Sequence, residues 1–198
     1  KEAHGQTKVL DYQRHGKQKA QSHIVREPLT VELVEQHLEG TQGVGTIPID
    51  ETNSCTFGAL DIDDYNLDLI ALCKKSARLN LPLTVCRSKS GGAHLFIFLS
   101  EKVPAVDLRD KLAEFASVLG FGTCEIFPKQ EEVIVERGDV GNFINLPYFQ
   151  VEYTTRFGYN NKGKELSFAD FLDHAEEAQI TLKKLRSFNF GGKEDFVT

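Results

Sequence analysis

Two stretches of this chain are equipped for chemistry: Leu60-Asp61-Ile62-Asp63 and, further along, Ser88-Lys89-Ser90-Gly91-Gly92-Ala93-His94. If Phe57 to Asp63 form a strand, side chains two apart point the same way, so Phe57, Ala59, Asp61 and Asp63 share one face. Two carboxylates projected from a rigid apolar strand suit Mg²⁺ or Mn²⁺, hard ions that take oxygen ligands, keep waters and share their coordination with phosphates. A third carboxylate completes a two-metal site, in which ions about 3.5–4 Å apart stabilise the attacking and leaving oxygens of an in-line displacement. Glu125, on a short strand expected over Thr123–Phe127, is the candidate. An Asp-x-Asp pair at a strand end is on its own more often solvated or a helix cap, but Asp64 is better placed to cap the helix that follows.

The loop from Arg87 to Gly92 offers the hydroxyls of Ser88 and Ser90, the glycines Gly91 and Gly92, and the cations Arg87 and Lys89. A concavity of backbone N–H groups favours anions, and glycines allow the positive φ that builds it. A phosphate is the guest this implies, although a Gly-Gly pair equally serves an ordinary hairpin turn. His94 stands at the mouth of an apolar strand, pointing with Phe96 and Phe98, where packing alone explains it poorly. Its imidazole can hold a triphosphate beside metals at Asp61 and Asp63, with Lys129 as a further cation. Tyr65 and Asn66 lie close enough to the carboxylates to meet a ribose, but helix start and packing account for them as well. Asn142, Asn145 and Tyr148 fall near a strand that could line the same cleft.

The elements that must position these groups follow from the pattern of apolar residues. Thr30 with Val31, Val34, His37 and Leu38, closed by Gly40, predicts a capped amphipathic helix. Gly43–Ile49 and Cys55–Asp63 read as strands of one sheet joined as a hairpin. Leu69, Leu72, Cys73 and Ser76 recur at helical spacing before the strand Leu83–Cys86, and Ala93–Leu99, apolar on both faces, suggests a central strand. Leu108, Leu112, Phe115 and Leu119 mark another helix, entered after Pro104 and closed by Gly120. Val133–Glu136 and Phe143–Leu146 are further strand candidates, and Ser167 to Asp170 opens a last helix running to about Gln179.

Composition bounds the rest. A chain of 198 residues, 40% hydrophobic, supports one sizeable core. Its longest apolar run, Leu95–Leu99, is far short of the roughly 20 residues that cross a bilayer, so no membrane partner is expected. The chain opens on Lys1 without a charged-then-apolar leader, which suggests a piece of something longer. Cys55, Cys73, Cys86 and Cys124 form no C-x-x-C pair, which points to buried free thiols in a reducing compartment rather than a zinc site. The net charge of −6 argues against a protein that simply coats nucleic acid. Yet residues 1–27 carry Lys1, Lys8, Arg14, Lys17, Lys19 and Arg26 against Glu2, Asp11 and Glu27, a local +3 that leaves −9 for the remainder. That segment reads either as a solvated arm or as a nucleic-acid contact.

Leu-Asp-Ile-Asp at 60–63, Ser-Gly-Gly-Ala-His at 90–94, Cys-Glu-Ile-Phe-Pro-Lys-Gln at 124–130 and Gly-Asn-Phe-Ile-Asn-Leu-Pro-Tyr at 141–148 together resemble the archaeo-eukaryotic primase superfamily. The likeness is closest to its primase-polymerase branch, in particular the primase domains of TOTE-type conflict systems and CRISPR-associated primase-polymerases. It covers roughly Gly43 to Tyr148. The resemblance implies an α+β fold in which a small N-terminal α/β lobe packs on an RRM-like catalytic lobe with a mixed or antiparallel sheet. It implies one catalytic domain over 1–198, with 1–54 in the N-terminal lobe, 55–150 as catalytic core and 151–198 as a C-terminal hairpin and helix. Asp61, Asp63 and Glu125 then bind two catalytic metals, Mg²⁺ or Mn²⁺, and His94 the incoming nucleotide's phosphates. The third position is often Asp in relatives and is Glu here.

The implied activity is that of a DNA-dependent nucleotidyltransferase, a primase-polymerase that makes or extends primers on single-stranded DNA from dNTPs or NTPs. Its partners would be template, primer and nucleotide, with helicase, nuclease or CRISPR adaptation domains outside this chain, in a prokaryotic cytoplasm. Some relatives carry a zinc module, for which this sequence has no Cys/His cluster. Two other readings compete: an Asp-x-Asp metal-dependent glycosyltransferase, which has no need of the Ser-Gly-Gly-Ala-His loop, and a non-catalytic RRM-like nucleic-acid binding module, for which three carboxylates are a liability beside phosphates.

Overall fold

The computed structural model describes residues 2–12 and 18–190. β1 (His4–Tyr12) and β2 (Gln18–Val25) form a hairpin, and α1 (Val31–Glu39) leads to β3 (Gly43–Thr46), which pairs with β1. β4 (Ser54–Ile62), α2 (Leu69–Arg78), β5 (Thr84–Arg87), β6 (Ala93–Pro104), α3 (Ala105–Leu119) and β7 (Glu125–Phe127) make a βαββαβ unit. β8 (Ile144–Asn145) returns to β3, and α4 (Phe168–Glu177) and α5 (Leu182–Ser187) follow. The result is α+β, with two antiparallel sheets ordered β2-β1-β3-β8 and β5-β6-β4-β7. The second has the split-βαβ order of ferredoxin-like and RRM-like units, with β4 and β6 at its centre.

Local chemistry explains the element ends. The Thr30 hydroxyl accepts from Leu33 N at 3.3 Å to start α1, and Gly40, left-handed at φ 85°, ends it. Ser167 caps α4 by accepting from Asp170 N at 3.1 Å while its hydroxyl donates to Asp170 Oδ2 at 2.8 Å. That helix is not the last, because Thr181 caps α5. Nor does Asp64 cap α2. It accepts from Asn66 N at 3.0 Å in an Asx turn, and Asp68 takes the cap by accepting from Ala71 N at 2.9 Å.

Two expectations of pairing are corrected. β3 and β4 are not a hairpin: they enter different sheets, joined only by an isolated bridge between Ile49 and Cys55. The chain does fold back at Asp50, which accepts from Thr52 N and Ser54 N and donates its own N–H to Ser54 O at 2.9 Å, but the pairing ends at that bridge because β3 is taken up by β1 and β8 and β4 by β6 and β7. Val133–Glu136 is not a strand, since Val135–Arg137 is a 3₁₀ turn ended by Gly138 at φ 78°. The first 27 residues contain β1 and β2, while Lys1, Arg14 and Lys17 lie outside the described residues.

Alternation along β4 sorts the core. Leu60 and Ile62 turn with Leu95 and Ile97 toward α2 and α3, where they bury against Leu72, Leu108, Leu112 and Phe115. Each such side chain contributes about 1.5–3 kcal/mol. Ala59 turns the other way, with Phe96 and Phe127, against Ile144, Tyr148 and Phe171. The aromatic face of the RRM-like sheet is therefore partly covered, with half-buried Phe57 and Phe98 lining a cavity of about 480 Å³ beside Phe96 and Phe171, and Asp61 belongs to this inter-lobe side.

Candidate active site

The register of the central sheet assembles the site. Asp61 on β4 stands opposite His94 on β6 and, on its other side, opposite Glu125 on β7. Residues directly opposite in an antiparallel pair project to the same face with Cβ atoms about 4.5–5.5 Å apart. One carboxylate thus sits between an imidazole and a second carboxylate, held by strands whose other faces are core.

Asp61 is electrostatically incomplete. Its Oδ1 is sealed from solvent and makes no hydrogen bond, and its contact with His94 Nε2, at 3.4 Å, is an ion-pair distance without hydrogen-bond alignment. His94 is itself buried, its ring edge-on to Phe96 at 5.9 Å. Leaving a buried acceptor unpaired costs about 1–3 kcal/mol, and more for a charged one, so an unmet atom of this kind asks for a ligand.

Asp63 follows the last residue of β4. Asp61, Asp63, Asp64 and Glu125 line one cavity of about 310 Å³, walled by Phe121 and Cys124. Among the described residues no three His, Cys, Asp or Glu side chains are gathered to hold an ion together. Glu125 is exposed, and its Oε2 lies 2.7 Å from Lys129 Nζ, so the lysine expected on a phosphate is held by the expected third ligand. The donor set nevertheless fits a hard divalent cation: carboxylate oxygens around one cavity, one of them buried and without a hydrogen bond. The neighbouring soft donor does not compete. Burial, and then the charge of Asp61, pushes the Cys124 thiol up to about 11, so it stays protonated.

The 87–92 loop is a closed turn between β5 and β6: Ser88 N donates to Gly92 O at 2.9 Å and Gly91 N to Ser88 O at 3.2 Å, with Gly91 at φ 99°. Gly92 has a different reason to lack a side chain, since a Cβ there would collide with the backbone carbonyl of Ile62, the residue between the two aspartates. The loop is thereby locked to the carboxylate strand. The Ser88 hydroxyl is buried without a hydrogen bond, and Ser90 is exposed. Arg87 and Lys89 are half-buried. Burial, and then the charge of Arg156, lowers the Lys89 amine's pKa.

Arg156 escaped the sequence reading. It sits over the Phe149 ring at 4.6 Å, and its position comes from the segment after it, where Arg87 N donates to Phe157 O and Tyr159 N to Val85 O along the outer edge of β5. No local motif signals that long-range pairing. Asn145 is brought elsewhere: Ile144 faces the catalytic sheet, so its neighbour points to the opposite face, where Asn145 Oδ1 accepts from Thr7 Oγ1 at 2.9 Å. Tyr65 is half-exposed on the β4–α2 turn and does not line the carboxylate cavity. Tyr148 is a buried post whose hydroxyl donates to Leu166 O and accepts from Gly158 N.

A family model described as TOTE conflict system, Archaeo-Eukaryotic Primase domain matches residues 3–159, a span that holds both sheets, the loop and every residue of this site. No curated protein matches the chain.

Proposed function

The chain belongs to the archaeo-eukaryotic primase family of TOTE conflict systems, a primase-like nucleotidyltransferase family, and from that premise we propose that it joins nucleoside triphosphates to a 3′-hydroxyl, or to a second nucleotide, on a single-stranded DNA template. The observation that carries the reading is Asp61, set in register between His94 and Glu125 with one buried oxygen unpaired. Asp61, Asp63 and Glu125 would hold divalent cations, which when bound lower the attacking hydroxyl's pKa and offset charge on the pyrophosphate. Ser88 and Lys89 offer a buried hydroxyl and an ammonium to the triphosphate, which restores to Lys89 the charge compensation its burial removes. His94 Nε2 faces Asp61 and would orient the phosphate end of the nucleotide toward the carboxylates. Lys129 Nζ pairs with Glu125 Oε2, the oxygen that would face a cation.

The test is incorporation of labelled dNTP or NTP into a primer on single-stranded DNA with Mg²⁺ or Mn²⁺, beside sugar transfer from a nucleotide sugar. Incorporation that disappears in Asp61→Ala plus Asp63→Ala is expected. Sugar transfer without incorporation would move the chain to the glycosyltransferase reading.

A further inference from the structure

At the loop end of the catalytic sheet one row of neighbours runs across four chain segments: Phe157, Arg87, Ala93 and Ile62. Arg87 N donates to Phe157 O at 3.0 Å, Arg87 stands opposite Ala93, and Ala93 stands opposite Ile62. One residue beyond that row the same segments present Arg156, Ser88, Gly92 and Asp63 in order. A cation and a buried hydroxyl without a hydrogen bond therefore stand at one side, and a carboxylate of the candidate metal site at the other. Gly92, between them, has no side chain to block the way. Three strand spacings, about 14 Å, separate the backbones of Arg156 and Asp63, a gap that an arginine stem and a triphosphate bridge together.

The guanidinium of Arg156 is held by a platform. It lies over the Phe149 ring at 4.6 Å, a stacked cation–π contact that suits a planar guanidinium better than an ammonium. Phe149 is fixed in its turn. Tyr148 and Gln150 on either side of it are left-handed, at φ 61° and 55°, a conformation that side-chain-bearing residues rarely adopt. Such strain persists only where the surroundings over-determine it, and it gathers at ligand clamps. Here Tyr148 N donates to Arg156 O at 2.9 Å, Gln150 N donates to His37 O at 3.0 Å, and the His37 ring meets Phe149 edge-on at 5.4 Å. The charge of Arg156 reaches Lys89, whose amine is held below its ordinary pKa by burial first and by that charge second. Two cations kept close at one end of a sheet favour an anion that both can touch.

We propose that Arg156 recognises the terminal phosphate of the nucleoside triphosphate and so sets the preference for triphosphates over diphosphates, with Phe149 as the positioning residue that holds the guanidinium in place. The carboxylate end of the row takes the reacting phosphate, because cations bound there must also meet the attacking hydroxyl. The phosphate farthest from that bond then lies toward Ser88, Lys89 and Arg156. A guanidinium is a planar fork that grips two oxygens of one phosphate, and the terminal phosphate is the one with oxygens to spare. That the triphosphate is a substrate rests on the nucleotidyl-transfer reading; that Arg156 holds its terminal phosphate does not.

The experiment is equilibrium binding of dATP and of dADP to the full chain in Mn²⁺ without primer, for wild type, Arg156→Gln, Arg156→Lys and Phe149→Leu, with thermal melting as a check on folding. Losing a hydrogen bond to a charged group should weaken dATP binding by Arg156→Gln at least about tenfold, while dADP affinity stays within about twofold. Where Arg156→Gln melts lower than wild type, Arg156→Lys, which keeps the charge and loses the fork, carries the same comparison with a smaller loss. Phe149→Leu should weaken dATP binding by about threefold, because it removes the platform and not the phosphate contact. In primer extension the Arg156→Gln loss should appear in the dATP KM, with kcat within about threefold. Equal losses of dATP and dADP, no loss of either, or a wild type that holds dADP as tightly as dATP overturn the proposal. Primer extension with an unchanged dATP KM in Arg156→Gln overturns it too and leaves the nucleotidyl-transfer reading standing. An Arg156-dependent preference for dATP in a wild type that extends no primer keeps the assignment and removes that reading.

Discussion

The two lobes treat their buried polar groups in opposite ways. In the N-terminal lobe they are completed by the protein: His37 Nδ1 accepts from Val44 N at 3.0 Å, its Nε2 donates to Pro147 O at 2.9 Å, and the Thr7 hydroxyl donates to Asn145. In the catalytic lobe Asp61 Oδ1 and Ser88 Oγ are buried and have no such partner. Two histidines a lobe apart show the difference. His37 is a structural strut with both nitrogens committed, while His94, also buried, meets the edge of Phe96 and an unaligned carboxylate. Burial alone does not mark a functional polar residue, and neither does a missing partner alone, since Ser76 Oγ and Gln130 Oε1 are buried and unpaired away from the carboxylates; Asp61 stands out because its unpaired oxygen lies beside His94 and Glu125.

Breaking the catalytic sheet should cost most. Leu95, fully buried on the helix-facing side of β6, loses about 2–5 kcal/mol when cut to alanine, as denaturant unfolding will measure. A loss below about 1 kcal/mol would mean that this sheet is not the rigid frame the site requires. The N-terminal lobe should instead fail by acid. Burial lowers the His37 pKa to about 4, so the folded form refuses a proton that the unfolded chain accepts below about 6.5. Its contribution, about 3 kcal/mol, is complete above pH 6.5 and is lost as pH falls toward 4. Unfolding free energies measured across that window should fall with acid in wild type, and His37→Gln should remove one proton's worth of the slope. The smallest effect is expected at the junction of loop and strand. Gly92→Ala forces a Cβ against Ile62 O, for about 1–3 kcal/mol of stability, with nucleotide affinity falling alongside because the loop can no longer lie against the carboxylate strand. Equal nucleotide affinity in that variant would separate the loop from the site.

Much of this was legible in the sequence where the cause is local. The caps at Thr30, Gly40, Gly120 and Ser167, the alternation along β4 and the apolar β6 are short-range signals, and the βαββαβ order follows from them. What escaped depends on partners distant in the chain. The β3–β4 hairpin failed because β3 pairs with β1 and β8 while β4 pairs with β6 and β7, leaving only the Ile49–Cys55 bridge at the turn, and Asn145 fell on the wrong face because a strand as short as β8 has no alternation to read. Arg156 was invisible until residues 157–159 were seen along β5. The loop's glycines were assigned to a ligand, yet Gly92 serves the protein's own backbone at Ile62.

The central claim is that Asp61 is kept for a ligand at the expense of the fold, and Asp61→Asn tests it most directly, because the substitution keeps the shape and removes the charge. Nucleotide addition to a primer in Mn²⁺ and thermal melting should be measured on the same preparation. The account predicts that addition falls by at least about 10²-fold, as it does when one electrostatic group is removed from a preorganised site, while the melting temperature holds or rises because the charge on a partly buried carboxylate with one oxygen lacking a hydrogen bond is gone. A variant that melts lower with addition intact would make Asp61 a structural residue and contradict the account.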